Sequence, residues 1–358
     1  MHDVTGAQFE GDAGLPRSYG NLRAEYQAVR HGVALLDFSI EGKLQVSGKN
    51  AVQFINGLVT NEIKSLLTGQ GAVAAFLDVH GKVSALARIY QTNEGLLLHL
   101  DATRRERIFK NLSRFVLAGE FFLSDLTDEL ALLSLQGREA AQLLESLTGH
   151  SFAEAADVSI QQMTMAEIPV RVAAHARCGE AGFDIFAPEK SAAQLWQMIL
   201  NHGKSFGVQP VGQEAFDIAR IESGVPREGI DVSEAHILLE AGFDNAVSYT
   251  KGCYLGQEII ARIHWRGQPA RRLLRLDVQS AEIPPAGAEL FAEDGKKVGA
   301  ITSSARNPMN DRIAALGYVH RYYLSPGTEL SIRQQENEIG KAIIVSAPVN
   351  TEMTMESK

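Results

Sequence analysis

KLQVSG, from Lys43 to Gly48, is a short alternating run that predicts a strand. Asn50 follows and can cap a helix with Val52, Ile55, Leu58 and Val59 on one side. AVAAFLDV and KVSALARIY flank His80-Gly81 as two arms of a hairpin, and LLLHLD adds a strand after Asn93-Glu94-Gly95. Thr103 and Glu106 have the T-x-x-E spacing of a capping box, predicting a helix with Ile108, Leu112 and Phe115 turned inward. Past residue 130, ALLSLQG predicts a strand, Arg138 to Leu147 a helix, and GFDIFAP a strand stopped by Pro188. Pro188 also suits the first turn of a helix striped by Leu195, Trp196, Ile199 and Leu200, with Gly203 as its stop. Another helix runs from about Gly212 to Glu222 before SGVPREG breaks it. From about residue 268 the texture becomes short strands parted by Pro and Gly turns, which predicts a separate barrel-like β module.

The order of elements lacks the strand-helix rhythm of a parallel doubly wound sheet, so the pattern predicts an α+β body followed by β structure. With 358 residues and 45% hydrophobic content the chain can bury two or three ordinary cores. A net charge of -9 argues against general nucleic-acid binding through a basic surface. The opening MHDVTGAQFEGDAG has neither the basic nor the apolar region of a signal peptide, and no apolar run is long enough to span a bilayer. Two cysteines, Cys178 and Cys253, cannot make a disulfide framework or a zinc pattern, and such sparing use fits a reducing, cytoplasmic setting.

Cys253 stands in KGCYLGQE, ahead of a short helix whose buried side would carry Ile259, Ile260 and Ile263. A thiol at or just before a helix N-terminus, with Lys251 close by, is placed to ionise and act as nucleophile or metal ligand. Gly252 and Gly256 would let the backbone approach a ligand. The competing reading is a buried structural thiol, the commoner fate of free cysteine. Arg262, Arg266, Arg271, Arg272 and Arg275, with His264 and Trp265, form an acid-free basic run. Those arginines could grip an anionic ligand or a partner's acidic face, or simply alternate outward on a strand.

Several stretches together resemble the glycine-cleavage T-protein (aminomethyltransferase) superfamily: VRHGVALLDFSIEGKLQVSGKNAVQFINGLVTNE, GEAGFDIFAP, ARIESGVPREG, VGAITSSARNP with IAALGYV, and PGTEL. KGCYLGQE is similar to the hallmark of one branch, the YgfZ-type folate-binding proteins that help assemble or repair iron–sulfur clusters. The resemblance implies an α+β fold of three domains around a central folate channel, ending in a β-barrel. It divides the chain into a split first domain (1–48 and 130–250), an inserted second domain (49–129), the motif segment 251–267, a barrel over 268–347 and a tail over 348–358. It implies tetrahydrofolate or a related reduced folate as cofactor, and iron–sulfur client or carrier proteins as partners. Cys253 with Lys251 would then be the reactive pair. Glu222 would read the pterin edge, with Asn61, Arg262, Gly252, Tyr254 and Gln257 as further folate contacts. Asn61 could equally serve to hold its own loop.

One departure bears on the chemistry. Where the T-protein carries an acid pair beside the reacting folate nitrogen, this chain has Ala85 and Leu86, which can neither give nor take a proton. Two alternatives to the cluster-maintenance role therefore stay open: a folate-dependent one-carbon transferase using another group, or a folate sensor without chemistry. A single thiol cannot hold a [4Fe–4S] cluster, which takes four cysteine ligands, so no resident metal is expected.

Overall fold

The computed structural model describes residues 7–8, 16–116, 120–152 and 155–346. The expected tail over 348–358 and most of the MHDVTGAQFEGDAG stretch lie outside the described residues. The chain forms two compact units: Met1–Ala74 with Ala85–Phe216, and Ala75–Ser84 with Asp217–Lys358.

The first unit opens with α1 (Leu22–His31), β1 (Val33–Asp37), β2 (Gly42–Ser47) and α2 (Ala51–Leu58). It continues through β3 (Gly71–Leu77), β4 (Val83–Thr92), β5 (Gly95–Leu100), α3 (Ala102–Ser113), β6 (Phe122–Asp125) and β7 (Leu130–Gln136). Then come α4 (Ala140–Thr148), β8 (Ile160–Met165), β9 (Ile168–Ala174), β10 (Gly182–Pro188), α5 (Ala192–His202), β11 (Val208–Pro210) and α6 (Gln213–Glu222), whose residues from Asp217 onward belong to the second unit. One six-stranded sheet has the order β11-β1-β7-β10-β9-β8, and a five-stranded sheet the order β3-β4-β5-β2-β6. In the first sheet only β1 with β11 is parallel among the recorded pairs, so the α+β reading of the pattern is right.

Burial follows strand position. Central β10 is buried from Gly182 to Ala187, whereas edge β8 alternates buried and exposed residues. Leu135, Ile185, Trp196, Leu195 and Ile199 meet in the core that α4 and α5 close over this sheet. At about 25 cal/mol per Å² of apolar surface, burial on this scale is the main stabilising contribution of the unit.

Local rules erred at helix starts. The cap of α3 is Asp101, which accepts from the Thr103 backbone N–H, in place of the expected Thr103/Glu106 box. Phe115 falls beyond the end of α3 and is exposed, because the helix stops at Ser113 before that side chain can turn inward. Asn50 precedes α2 in helical geometry with no side-chain capping bond.

In the second unit, α7 (Gln257–Arg266) precedes six strands: β12 (Arg271–Gln279), β13 (Glu289–Phe291), β14 (Lys297–Arg306), β15 (Ile313–His320), β16 (Glu329–Gln334) and β17 (Asn337–Ser346). They close as a barrel in the order β12-β15-β14-β13-β16-β17, around Leu276, Leu290, Ile301, Ala315, Val319, Ile332 and Ile344. Asp231, fully buried, ties the segment after α6 to this barrel. Its carboxylate accepts from Arg220 at 2.8 Å and from the Thr302 and Ser303 hydroxyls, while its carbonyl accepts from the Tyr318 hydroxyl.

Candidate functional site

The motif segment is shaped by a glycine. Gly256 has φ +81° and stands directly before α7, and an added Cβ there would lie 2.7 Å from the Asp78 carbonyl oxygen. Gly81, at φ +71°, likewise has no room for a Cβ, which would sit 2.9 Å from that of Ile259. The β3–β4 turn and the start of α7 therefore pack backbone to backbone, a contact only glycine permits. Gly256 serves that protein contact, while Gly252 is exposed with open space around it.

Cys253 is exposed, as a working thiol must be. It lies four residues ahead of the first helical residue, Gln257, so the expectation that it sits at the helix N-terminus is corrected. Lys251 is buried, and its Nζ lies 5.3 Å from the centre of the Tyr254 ring, a cation–π contact. Tyr254 is itself buried, and burial pushes its hydroxyl up to about 12. Gln257 accepts from the Tyr254 backbone N–H at 3.3 Å and so closes the turn that follows the thiol. Arg262 is exposed on α7. Cys178, by contrast, is fully buried beside Gln136, and burial raises its thiol to about 11.

Glu222 ends α6. Its Oε1 accepts from Asn307 Nδ2 at 2.6 Å and its backbone carbonyl from Arg275 Nη1 at 2.9 Å. Two more arginines of the basic run are paired: Arg271 with Glu240 at 3.2 Å, and Arg272 with Asp244 at 3.4 Å. Those partners come from the loop before the motif, so the strand end of an acid-free run in sequence is paired in space. Asn61 donates to the Val73 carbonyl at 2.8 Å and accepts from the Glu62 N–H at 2.9 Å, which is the loop-holding geometry. Ala85 is buried and Leu86 half-buried, and both are alkyl.

The first unit contains a charged cluster that the sequence reading passed over. Arg177 binds both oxygens of Glu41 at 3.0 and 2.7 Å and both of Asp184 at 3.0 and 2.8 Å. His99 Nε2 lies 2.5 Å from Glu41, and His175 Nδ1 lies 2.8 Å from Asp184. Burial alone would raise the two carboxyls, but Arg177 beside both, with His99 and His175, holds them well below the usual range. Burial, Arg88 and Arg177 push His175 down, so its ring is neutral near pH 7. Ligand atoms of His99, His175 and Asp184 lie within 4.8 Å of one another. Asp184 already holds two bonds from Arg177 and one to His175, however, and a divalent ion here would have to displace them from a buried ion pair. The donor set therefore suits an ion-pair network better than a metal. The signal available in the sequence was an ionisable residue inside an apolar strand: Asp184 in GFDIFAP and His99 in LLLHLD.

Residues 1–251 match the GCVT N-terminal domain, and residues 271–349 the glycine cleavage T-protein C-terminal barrel domain. An aminomethyltransferase of Shouchella clausii is 30% identical over 353 residues, covering 97% of this chain and 95% of the relative. One from Thermoanaerobacter pseudethanolicus is 29% identical over 334 residues, covering 93% and 90%. The crystal structure of glycine cleavage system aminomethyltransferase T from Bartonella henselae superposes with a TM-score of 0.85 at 25% identity, covering 96% of this chain and 94% of that one. No described helix is long and apolar enough to cross a membrane. By its matched domains, its full-length relatives and its barrel-terminated α+β fold, this chain belongs to the glycine-cleavage T-protein family.

Proposed function

We propose that the protein binds a reduced folate of the tetrahydrofolate class and conducts its chemistry through Cys253 rather than through a carboxylic acid. The observation that carries this reading is a full-length kinship to aminomethyltransferases combined with alkyl side chains at Ala85 and Leu86. Glu222 is the carboxylate assigned to the aminopyrimidine edge, a directional, charge-assisted contact. Kinship favours one-carbon transfer as the reaction class, with the folate as acceptor or donor of the unit. A second reading, an accessory role in assembly or repair of [4Fe–4S] clusters on client or carrier proteins, is favoured by Cys253. It is exposed, next to the Tyr254–Gln257 turn, where its sulfur can ligate a cluster iron transiently after losing its proton to solvent. Two free thiols suit a reducing compartment such as the cytoplasm.

The test uses wild type and Cys253→Ser. Conversion of tetrahydrofolate to its methylene form with an amine donor, by wild type alone, supports the transferase reading. Absence of conversion, with a [4Fe–4S] enzyme in cells lacking the protein restored only by wild type, supports the accessory reading. Failure of wild type to bind tetrahydrofolate in calorimetry overturns both.

A further inference from the structure

The ion-pair cluster of the first unit is matched at its centre and unmatched at its edge. Arg177, Glu41 and Asp184 satisfy one another. Arg88, on β4, stands directly opposite His99 of β5, so both side chains share one face of the five-stranded sheet. Its guanidinium is half-buried, and no described residue accepts a hydrogen bond from it. Tyr90, two residues along on the same face, has a buried hydroxyl with no partner, and His99 Nδ1 is buried without one as well.

His175 brings the opposite character to this edge. Its ring centre lies 6.1 Å from that of His99. Its Nδ1 is 2.8 Å from Asp184, a carboxylate held ionised with no proton to give, so Nδ1 carries the hydrogen. The neutral ring leaves Nε2 as an acceptor, and no described residue donates to it. The side chain keeps 12% exposure, so a small molecule in solution reaches it.

A half-buried guanidinium without an acceptor is costly, and folded proteins leave few buried polar groups unmatched. The acids nearby do not fill the role, because Arg177 already engages both oxygens of each. A carboxylate is the planar, two-oxygen partner that a guanidinium fork fits. An imidazole acceptor beside it calls for an N–H or O–H close to that carboxylate.

We propose that Arg88 and His175 form a binding site for a small carboxylate bearing an amine or a hydroxyl on the adjacent carbon. Arg88 grips the carboxylate, and His175 Nε2 accepts from the neighbouring donor. Asp184 orients the imidazole and Arg177 holds Asp184. The site lies wholly within the first unit and does not depend on the folate reading.

Ligand-observed NMR titrations with lactate, alanine and propionate, which share one carbon skeleton, test this on wild type, Arg88→Met and His175→Phe. Wild type should bind lactate or alanine at least about fivefold more tightly than propionate, the scale of one hydrogen bond. Whichever of the two it prefers identifies the donor as hydroxyl or ammonium. Arg88→Met should weaken that ligand at least about tenfold, the scale of a charge-assisted contact. His175→Phe should keep propionate binding and erase the preference over it, a change of selectivity that a structural histidine would not produce.

No binding by wild type, or propionate held as tightly as both other acids, overturns the site and assigns the unmatched groups to solvent. Unchanged affinity in Arg88→Met, or a preference that survives in His175→Phe, overturns the role of that residue and the proposal with it. Should a variant fail to fold, Arg88→Lys or His175→Ala takes its place under the same outcomes, because an ammonium lacks the guanidinium fork. Binding should persist in saturating 5-formyltetrahydrofolate. Displacement would assign the carboxylate to the folate itself and overturn a separate site, while leaving the folate reading intact.

Discussion

Two cysteines in one chain meet opposite environments, and reagents should tell them apart. Cys253 is exposed, whereas Cys178 is fully buried with its thiol raised to about 11. An alkylating reagent at neutral pH should therefore add one label, at Cys253, to the native protein and two after denaturation, as read by mass spectrometry. A native count of two would show that the Cys178 surroundings open readily. Arg177 is the residue whose loss should cost most: Arg177→Met would leave buried Asp184 and half-buried Glu41 with most of their hydrogen bonds gone. Removing one partner of a buried ion pair costs about 3–5 kcal/mol, so denaturant titration should show a loss of that size.

At the scale of elements, two contacts hold the second unit's working segment in place. The β3–β4 turn and the start of α7 touch through Gly81 and Gly256, both with left-handed backbone. Gly256→Ala meets a steric conflict with the Asp78 carbonyl as well as the left-handed penalty of roughly 1–2 kcal/mol. It should speed amide hydrogen exchange in residues 251–260 more than in the barrel, measured by mass spectrometry. Asp231 makes the other contact. Asp231→Ala removes the Arg220, Thr302 and Ser303 bonds together and should lower stability by about 3 kcal/mol or more, since Arg220 stays buried. Retention of wild-type stability would mean that the barrel and the segment after α6 are joined by other means.

At the scale of the whole molecule, the buried charges set a pH dependence whose sign follows from linkage. Glu41 and Asp184 bind protons more weakly in the fold than in the unfolded chain. Their stabilisation is thus complete above the unfolded carboxylate range, near pH 4, and drains away as the pH falls below it. Lys43 gives a slope of the same sign in an alkaline window, beginning from a cost at neutral pH. Burial lowers its ammonium to about 8, outweighing Glu41 and Asp37, while its Nζ donates to the Ser39 carbonyl at 2.7 Å. Between about 8 and the ordinary lysine value near 10.4 the unfolded chain holds the extra proton, so this residue favours the fold increasingly as the pH rises. Thermal melts should show a steep loss below about pH 4, and Lys43→Met should flatten the alkaline side of the profile. An acid limb unchanged by Arg177→Met would show that other carboxylates govern it.

Strands, the hairpin, most helices and the terminal barrel were legible in the sequence because alternation, periodicity and turn residues are local properties, written within about ten residues of one another. KGCYLGQE likewise marked out its thiol, whereas the burial of Cys178 came only with the fold. What needed tertiary structure was everything decided by distant partners. Asn61 reads in sequence as ligand contact or loop brace, and only the fold supplies its bond to Val73; Arg271 and Arg272 looked unpaired until Glu240 and Asp244 folded onto them. The Glu41–His99–Arg177–Asp184 cluster joins residues more than 140 positions apart, and Asn307 reaches Glu222 across 85. Periodicity says which side of an element is buried. It does not say which ionisable groups from other elements will arrive there, and in a low-dielectric interior those arrivals set charge, orientation and chemistry.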